Sequence, residues 1–198
     1  MSCSDARGDL GVPDQGDTNA CSGHVCASLC AAGGVRGADP DAIYKQALAG
    51  REDDGVALSE AVNALTRHGV PLMDGTTARA PRLVRAPAAP SLLRGVLDSQ
   101  RVVGAVLALT PRVEEFLTHP ERDHFVLRDA GRSPSRADEG HAVLLTGYSD
   151  DVGGGAFAAR SSWGSDWGWS GHFWVPYGEL RFMEQFYTTA RDGRLGWV

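Results

Sequence analysis

No stretch of this sequence stays apolar for long. The longest run, Val102 to Leu109, falls well short of the roughly 20 residues a membrane-spanning helix needs. Residues 1–12 have neither a basic start nor an apolar run, so they do not read as a signal peptide. The expectation is a cytoplasmic chain with no membrane partner. Cysteine is scarce as well: four in 198 residues are too few for a disulfide framework, and a reducing compartment would keep them as thiols. No Cys-x-x-Cys pair is present, so no metal and no cofactor are expected. Positive charge is in deficit. The net charge is −6, and the nearest approach to a basic run is Arg132 and Arg136 in a polar loop, which argues against a nucleic-acid partner.

What remains is an ordinary soluble composition, 42% hydrophobic and 22% charged, with 25 Gly and 10 Pro promising many turns. Residues 1–19 read as an extended arm. A helix is predicted from about Cys21, with Val25, Leu29 and Ala32 at helical spacing and Gly33-Gly34 stopping it. A second has Asp39 as N-cap and Pro40 in its first position, and Gly50 ends it. A third carries Leu58, Ala61, Val62 and Leu65 on one face before Gly69 and Pro71. The Ala/Pro/Arg-rich stretch 78–90 reads as a surface connection, followed by a short helix near Ser91–Ser99. The period then changes: 102–109, 141–148, 156–161 and 172–175 read as strands, with an exposed loop over 129–140. A helical half thus precedes a strand-rich half, giving an α+β chain whose halves meet at a cleft.

Cys21 is the candidate nucleophile. A thiolate attacks carbonyl carbon well, and a helix N-terminus favours its negative charge. Cys26 and Cys30, four apart on the same helix, read instead as buried core thiols. His24, one turn after Cys21, reads as a packed residue, and His68, His119, His124 and His172 as surface or satisfied polar groups. Gln15 lies six residues before Cys21 in an irregular segment; its amide, with the backbone N–H of Cys21, could donate to a developing oxyanion.

Three segments, in order, resemble the papain-like cysteine peptidase family. DQGDTNACSG is similar to its nucleophile segment, GHAVLLTGYSDD to the segment around its histidine, and RSSWGSDWGWSGHFWVPY to its Asn-Ser-Trp-Gly segment and the strands after it. DDGVALSEAVNALTRHGVP also resembles the helical half of bacterial members. The resemblance covers nearly the whole chain. It implies a single papain-like domain over 1–198 with an arm at 1–19, a helical lobe at 20–99 and a strand-rich, β-barrel-like lobe at 100–198. It also implies Cys21 as nucleophile, His141 as base, Gln15 as oxyanion donor, Trp163 shielding the histidine, and Asp54 and Gly55 binding substrate backbone. The family's third catalytic residue is an Asn. Here Ser161 stands in its place, and its hydroxyl has a shorter reach and rotates.

The activity implied is hydrolysis of a peptide or related amide through an acyl-thioenzyme. Two alternatives share the cleft: an acyltransferase passing the Cys21 acyl group to an amine, and a catalytically weak peptide-binding homologue. The partner is a peptide or acyl substrate, and the oligomeric state is left open. With only twenty residues ahead of Cys21, no pro-segment is expected. The other tryptophans, Trp167, Trp169 and Trp174, read as packing residues.

Overall fold

The computed structural model describes residues 4–5, 10–128 and 139–190. Cys3, Arg132, Arg136 and nearly all of the predicted 129–140 loop lie outside them. Among the described residues, helices α1 (Cys21–Ala32), α2 (Pro40–Leu48) and α3 (Leu58–His68) come first. A small hairpin follows, β2 (Val70–Pro71) with β3 (Thr77–Ala78). The remaining strands belong to one seven-stranded sheet: β1 (Ser4–Asp5), β4 (Leu83–Arg85), β5 (Val103–Ala108), β6 (Gly140–Ser149), β7 (Ala156–Arg160), β8 (His172–Pro176) and β9 (Met183–Thr189). Its order is β4-β9-β5-β6-β7-β8, with β1 pairing β6. Helices α4 (Pro90–Asp98) and α5 (Pro111–Thr118) flank β5 in the chain.

The predicted helix starts hold. The Asp39 side chain accepts from Ala42 N at 3.0 Å, and Pro40 needs no donor partner there. The α2 stop is one residue early: Ala49 takes the left-handed turn at φ 52°, and Gly50 follows it. Several elements have no counterpart in the sequence reading: β1, the β2–β3 hairpin, β4, α5 and β9. The signal for α5 is local, Thr110-Pro111 followed by Val113, Phe116 and Leu117, and Thr110 Oγ accepts from Val113 N at 3.3 Å. The stretch 78–90 is more than a connection, since Leu83–Arg85 forms an edge strand opposite Tyr187–Thr189. Pro81 and Pro87 hide it locally. Its partner, β9, is a hundred residues on.

Both faces of the central strands are buried, and the two-residue period divides them between two cores. Val106, Ala142 and Leu144 pack with Val25, Leu29, Leu58 and Leu65 of α1 and α3. Val103, Ala105, Leu107, Val143 and Leu145 face the other way, toward Leu93, Leu97, Phe116, Phe157 and Phe173. Two glycines set how closely α1 is held. A Cβ on Gly23 would lie 2.2 Å from the Pro40 carbonyl oxygen of α2, and one on Gly104 would lie 2.6 Å from Val25.

Candidate active-site cleft

A cleft of about 1260 Å³ runs between the helical and strand-rich halves. Gln15, Cys21, Asp54, Gly55, His141 and Trp163 all line it. Of the residues predicted to form the site, only Ser161 is not a lining residue; it lies behind His141.

Cys21 opens α1. Ala20, the N-cap, offers no side-chain bond, so the first-turn N–H groups are left open toward the thiol. The Cys21 sulfur accepts from Ala142 N at 3.4 Å, which sets it beside the start of β6, where His141 lies. Burial pushes the Cys21 thiol up, and the N–H groups of Ala142, Ser22 and Cys21 itself offset part of that rise. Cys26 and Cys30, by contrast, are fully buried in the α1 core, with thiols pushed up, Cys30 to about 12.

His141 is buried, 5% exposed, and its Nε2 lies 3.0 Å from Ser161 Oγ. Ser161 is itself 2% exposed. One face of the imidazole stacks on Trp163, with centroids 4.3 Å apart and planes 25° from parallel. Trp167 meets Trp163 edge-on, reaches Phe173 in the core, and donates from Nε1 to Leu117 O at 3.1 Å. Trp167 thus buttresses the ring stack and lines the cleft as well, although at turn spacing it reads only as packing. Burial pulls His141 down to about 4, so the ring is a neutral base at neutral pH.

Gln15 is held by groups the sequence does not point to. Ser162 Oγ donates to Gln15 Oε1 at 2.5 Å, and Gln15 N donates to Ser162 O at 2.7 Å. Gln15 Nε2 donates to the Thr18 carbonyl. A carbonyl only accepts, so this fixes which end of the amide is nitrogen, and its second hydrogen stays available. The partners lie 147 residues apart, beyond the reach of any local pattern.

Gly55 sits at φ +95° with open space where a Cβ would point. Beside it, Asp53 accepts from Tyr44 Oη and from Asn19 Nδ2, the latter at 3.3 Å. The Tyr44 hydrogen bond holds the Asp53 carboxyl below the usual range. Asp53 therefore ties the Asp54–Gly55 loop to the residues just before Cys21. His24 is buried and is not among the cleft-lining residues.

Arg160, 4% exposed at the end of β7, braces the cleft from behind. Its guanidinium donates to the Leu10 and Gly11 carbonyls and to Ser28 Oγ of α1. Burial pulls it down to about 10, which leaves it charged at neutral pH. Among the described residues, no group of three or more His, Cys, Asp or Glu is arranged to hold a metal ion, and no helix is long and apolar enough to cross a membrane.

A family model described as papain family cysteine protease matches residues 123–186, a span that includes His141, Ser161 and Trp163 but neither Cys21 nor Gln15. A search of curated proteins found no sequence match. Among solved structures, xylellain, a cysteine protease from Xylella fastidiosa, superposes with a TM-score of 0.71 at 19% identity, covering 96% of this chain and 87% of that one. Digestive procathepsin L 3 of Tenebrio molitor larval midgut gives a TM-score of 0.70 at 17% identity, covering 96% of this chain and 70% of that one. The fold is papain-like, and the family model takes in the histidine and Ser-Trp-Gly segments but not the nucleophile segment.

Proposed function

We propose that this chain is a cysteine peptidase acting on peptide or related amide bonds, with residues 20–99 and 100–198 as the two lobes of one catalytic domain. The observation that carries this is the convergence, on one cleft, of a helix-start thiol and a buried neutral imidazole. The contacts behind it are Cys21 Sγ to Ala142 N at 3.4 Å and His141 Nε2 to Ser161 Oγ at 3.0 Å. The segments match the papain family in order, and that family's activity is the reading they favour.

In this reading Cys21 gives its proton to His141 as the sulfur attacks the carbonyl carbon. The transfer gives a thiolate–imidazolium ion pair; burial, which pushes the Cys21 thiol up and His141 down, works against charge on both partners, and the N–H groups around the sulfur offset part of it. Ser161 accepts from Nε2–H, the tautomer that leaves the Nδ1 lone pair for the thiol proton. Ser161 is a positioning residue in the place of the family's Asn. Gln15 and the Cys21 N–H donate to the oxyanion as the tetrahedral intermediate forms. The amine then leaves with the proton from His141, and water resolves the thioester. Asp54 and Gly55 bind substrate backbone along the helical rim, where open space at Gly55 admits close approach. Trp163 covers the imidazole face.

A fluorogenic peptide amide library tests this. Turnover that disappears in Cys21→Ala, together with iodoacetamide labelling Cys21 faster than Cys26, supports it. If every peptide stays intact and Cys21 labels no faster than Cys26, the reading is wrong. Release of the acyl group to an added amine in preference to water would select the acyltransferase alternative.

A further inference from the structure

Three segments of the helical half meet on one carboxylate at the rim of the cleft. Asp53 accepts from Tyr44 Oη and from Asn19 Nδ2. Tyr44 belongs to α2, Asn19 lies two residues before Cys21, and Asp53 heads the loop that carries Asp54 and Gly55. The Tyr44 hydroxyl does most to hold the Asp53 carboxyl below its ordinary range, and the Asn19 amide and the Gly55 N–H add to it. Asp53 is therefore an ionised acceptor at neutral pH.

These segments differ in how firmly they are rooted. Tyr44 is buried, and a Cβ on Gly23 of α1 would lie 3.1 Å from its own Cβ. The ring is thus a stiff post between α1 and α2, with a polar tip that ends on Asp53. The two loops have no such root. Ahead of Cys21, Gly16 N donates to Asp14 Oδ1 at 2.9 Å and Thr18 Oγ1 to Gln15 O at 2.7 Å, both local bonds. In the other loop, Asp54 N donates to Glu52 O and Ala57 N to Glu60 Oε2, each at 3.0 Å and each local again. Among the described residues, Asn19 to Asp53 at 3.3 Å is the hydrogen bond that joins the two loops. Asn19, Asp54 and Gly55 all line the cleft. The bond therefore fixes how far the stretch that delivers the Cys21 N–H lies from the loop proposed to hold substrate backbone.

We propose that Asp53 is a positioning residue for the reaction at Cys21. Anchored on Tyr44, it clamps the Asn19 stretch to the Asp54–Gly55 loop, so that a substrate backbone docked on that loop meets the Cys21 N–H and thiol in register. The clamp acts through the two loops and touches none of the reacting atoms. The inference rests on the Cys21 cleft being the reaction site.

A hydrogen-bonded clamp can be cut, set against itself and remade, and Asn19 and Asp53 are both exposed, so the fold should tolerate each change. With the full chain and a cleaved peptide amide, Asn19→Ala is expected to lower kcat/KM about 5-fold and Asp53→Ala about 10-fold, the sizes of a neutral and a charge-assisted hydrogen bond. Asn19→Asp sets two carboxylates face to face and should cost at least as much as Asp53→Ala. Combining it with Asp53→Asn exchanges donor and acceptor, leaves an amide oxygen for Tyr44, and should restore kcat/KM to within about 3-fold of wild type. Tyr44→Phe should cost about 5-fold alone and nothing further in the Asp53→Ala background. Wild-type kinetics in Asn19→Ala and Asp53→Ala, or an exchanged pair no better than Asn19→Asp, overturns the proposal.

Should no peptide be cleaved, the hydrolase reading falls separately. The clamp is then decided by amide hydrogen exchange in residues 16–20 and 52–57. Asn19→Ala should speed exchange in both segments, and the exchanged pair should slow it again. Exchange in 52–57 that is indifferent to Asn19→Ala overturns the clamp.

Discussion

The two walls of the cleft are built on different principles. On the helix wall, Cys21 is placed by packing: α1 presses Val25 and Leu29 onto β5, and α2 rides close over Gly23. On the strand wall, His141 is placed by partners, with Ser161 at one ring nitrogen and Trp163 on one face. The difference follows from the groups themselves. A thiol needs only a position and nearby N–H donors, which the first turn of a helix supplies. An imidazole has a plane, a tautomer and a charge to fix, so it must be held from more than one side. Arg160 ties the walls together, donating from β7 to Ser28 of α1.

The largest effect should come from cutting that tie. Arg160→Met removes a buried guanidinium and leaves two carbonyls and a half-buried hydroxyl without their donor, and we expect a loss of about 3 kcal/mol in urea unfolding. A loss below about 1 kcal/mol would mean that the walls are held together by packing alone.

The strand wall should then show itself in pH dependence. His141 is drawn from 6.5 to about 4 in the folded state, so between those values the unfolded chain binds the proton and the folded chain does not. Stability is therefore greatest above about pH 6.5 and falls as pH drops toward 4, by about 3 kcal/mol from this group. His141→Gln should flatten that part of the stability curve. An unchanged slope would remove His141 as its source. The same shift predicts that kcat/KM rises with pH through about 4 as the base becomes neutral.

A smaller effect tests the helix wall. Gly23→Ala forces a methyl against the Pro40 carbonyl, and we expect about 2 kcal/mol of destabilisation with a rise in KM or a fall in kcat as Cys21 shifts. Wild-type stability with wild-type kinetics would show that α1 and α2 can part without disturbing the thiol. The smallest effect is Ser161→Ala. It should lower kcat about tenfold with KM little changed, because the hydroxyl orients the ring and does not react. A fall confined to KM would argue against orientation.

The helix wall was legible because its signals are local. The apolar spacing of α1, the Gly33-Gly34 stop and the Asp39-Pro40 start all lie within a few residues of what they specify. The strand wall was legible in part. His141 begins a run apolar enough to announce a buried strand, and Ser161 stands where the family places its Asn. The Ser162–Gln15 contact left no trace, since each residue looks like an ordinary polar loop group and their meeting depends on the whole fold. β4 was hidden for the same reason: three residues between prolines become a strand only because β9 is there to pair with. Gln185 shows the limit most plainly, for no propensity predicts a left-handed glutamine capping a helix in the other half of the molecule.

The segment before the nucleophile carries a mechanical consequence. Gly164 N donates to Pro13 O, Gln15 N donates to Ser162 O, and Asp14 bridges Trp163, so residues 13–15 are stitched to the strand wall. The short stretch from Gly16 to Ala20 joins them to α1. If the halves swing apart, Gln15 travels with His141 and away from Cys21, although the sequence places it beside the cysteine. The separation between the Gln15 amide and the Cys21 thiol would then work as a gauge of closure, and the two proposed oxyanion donors would part as the halves do.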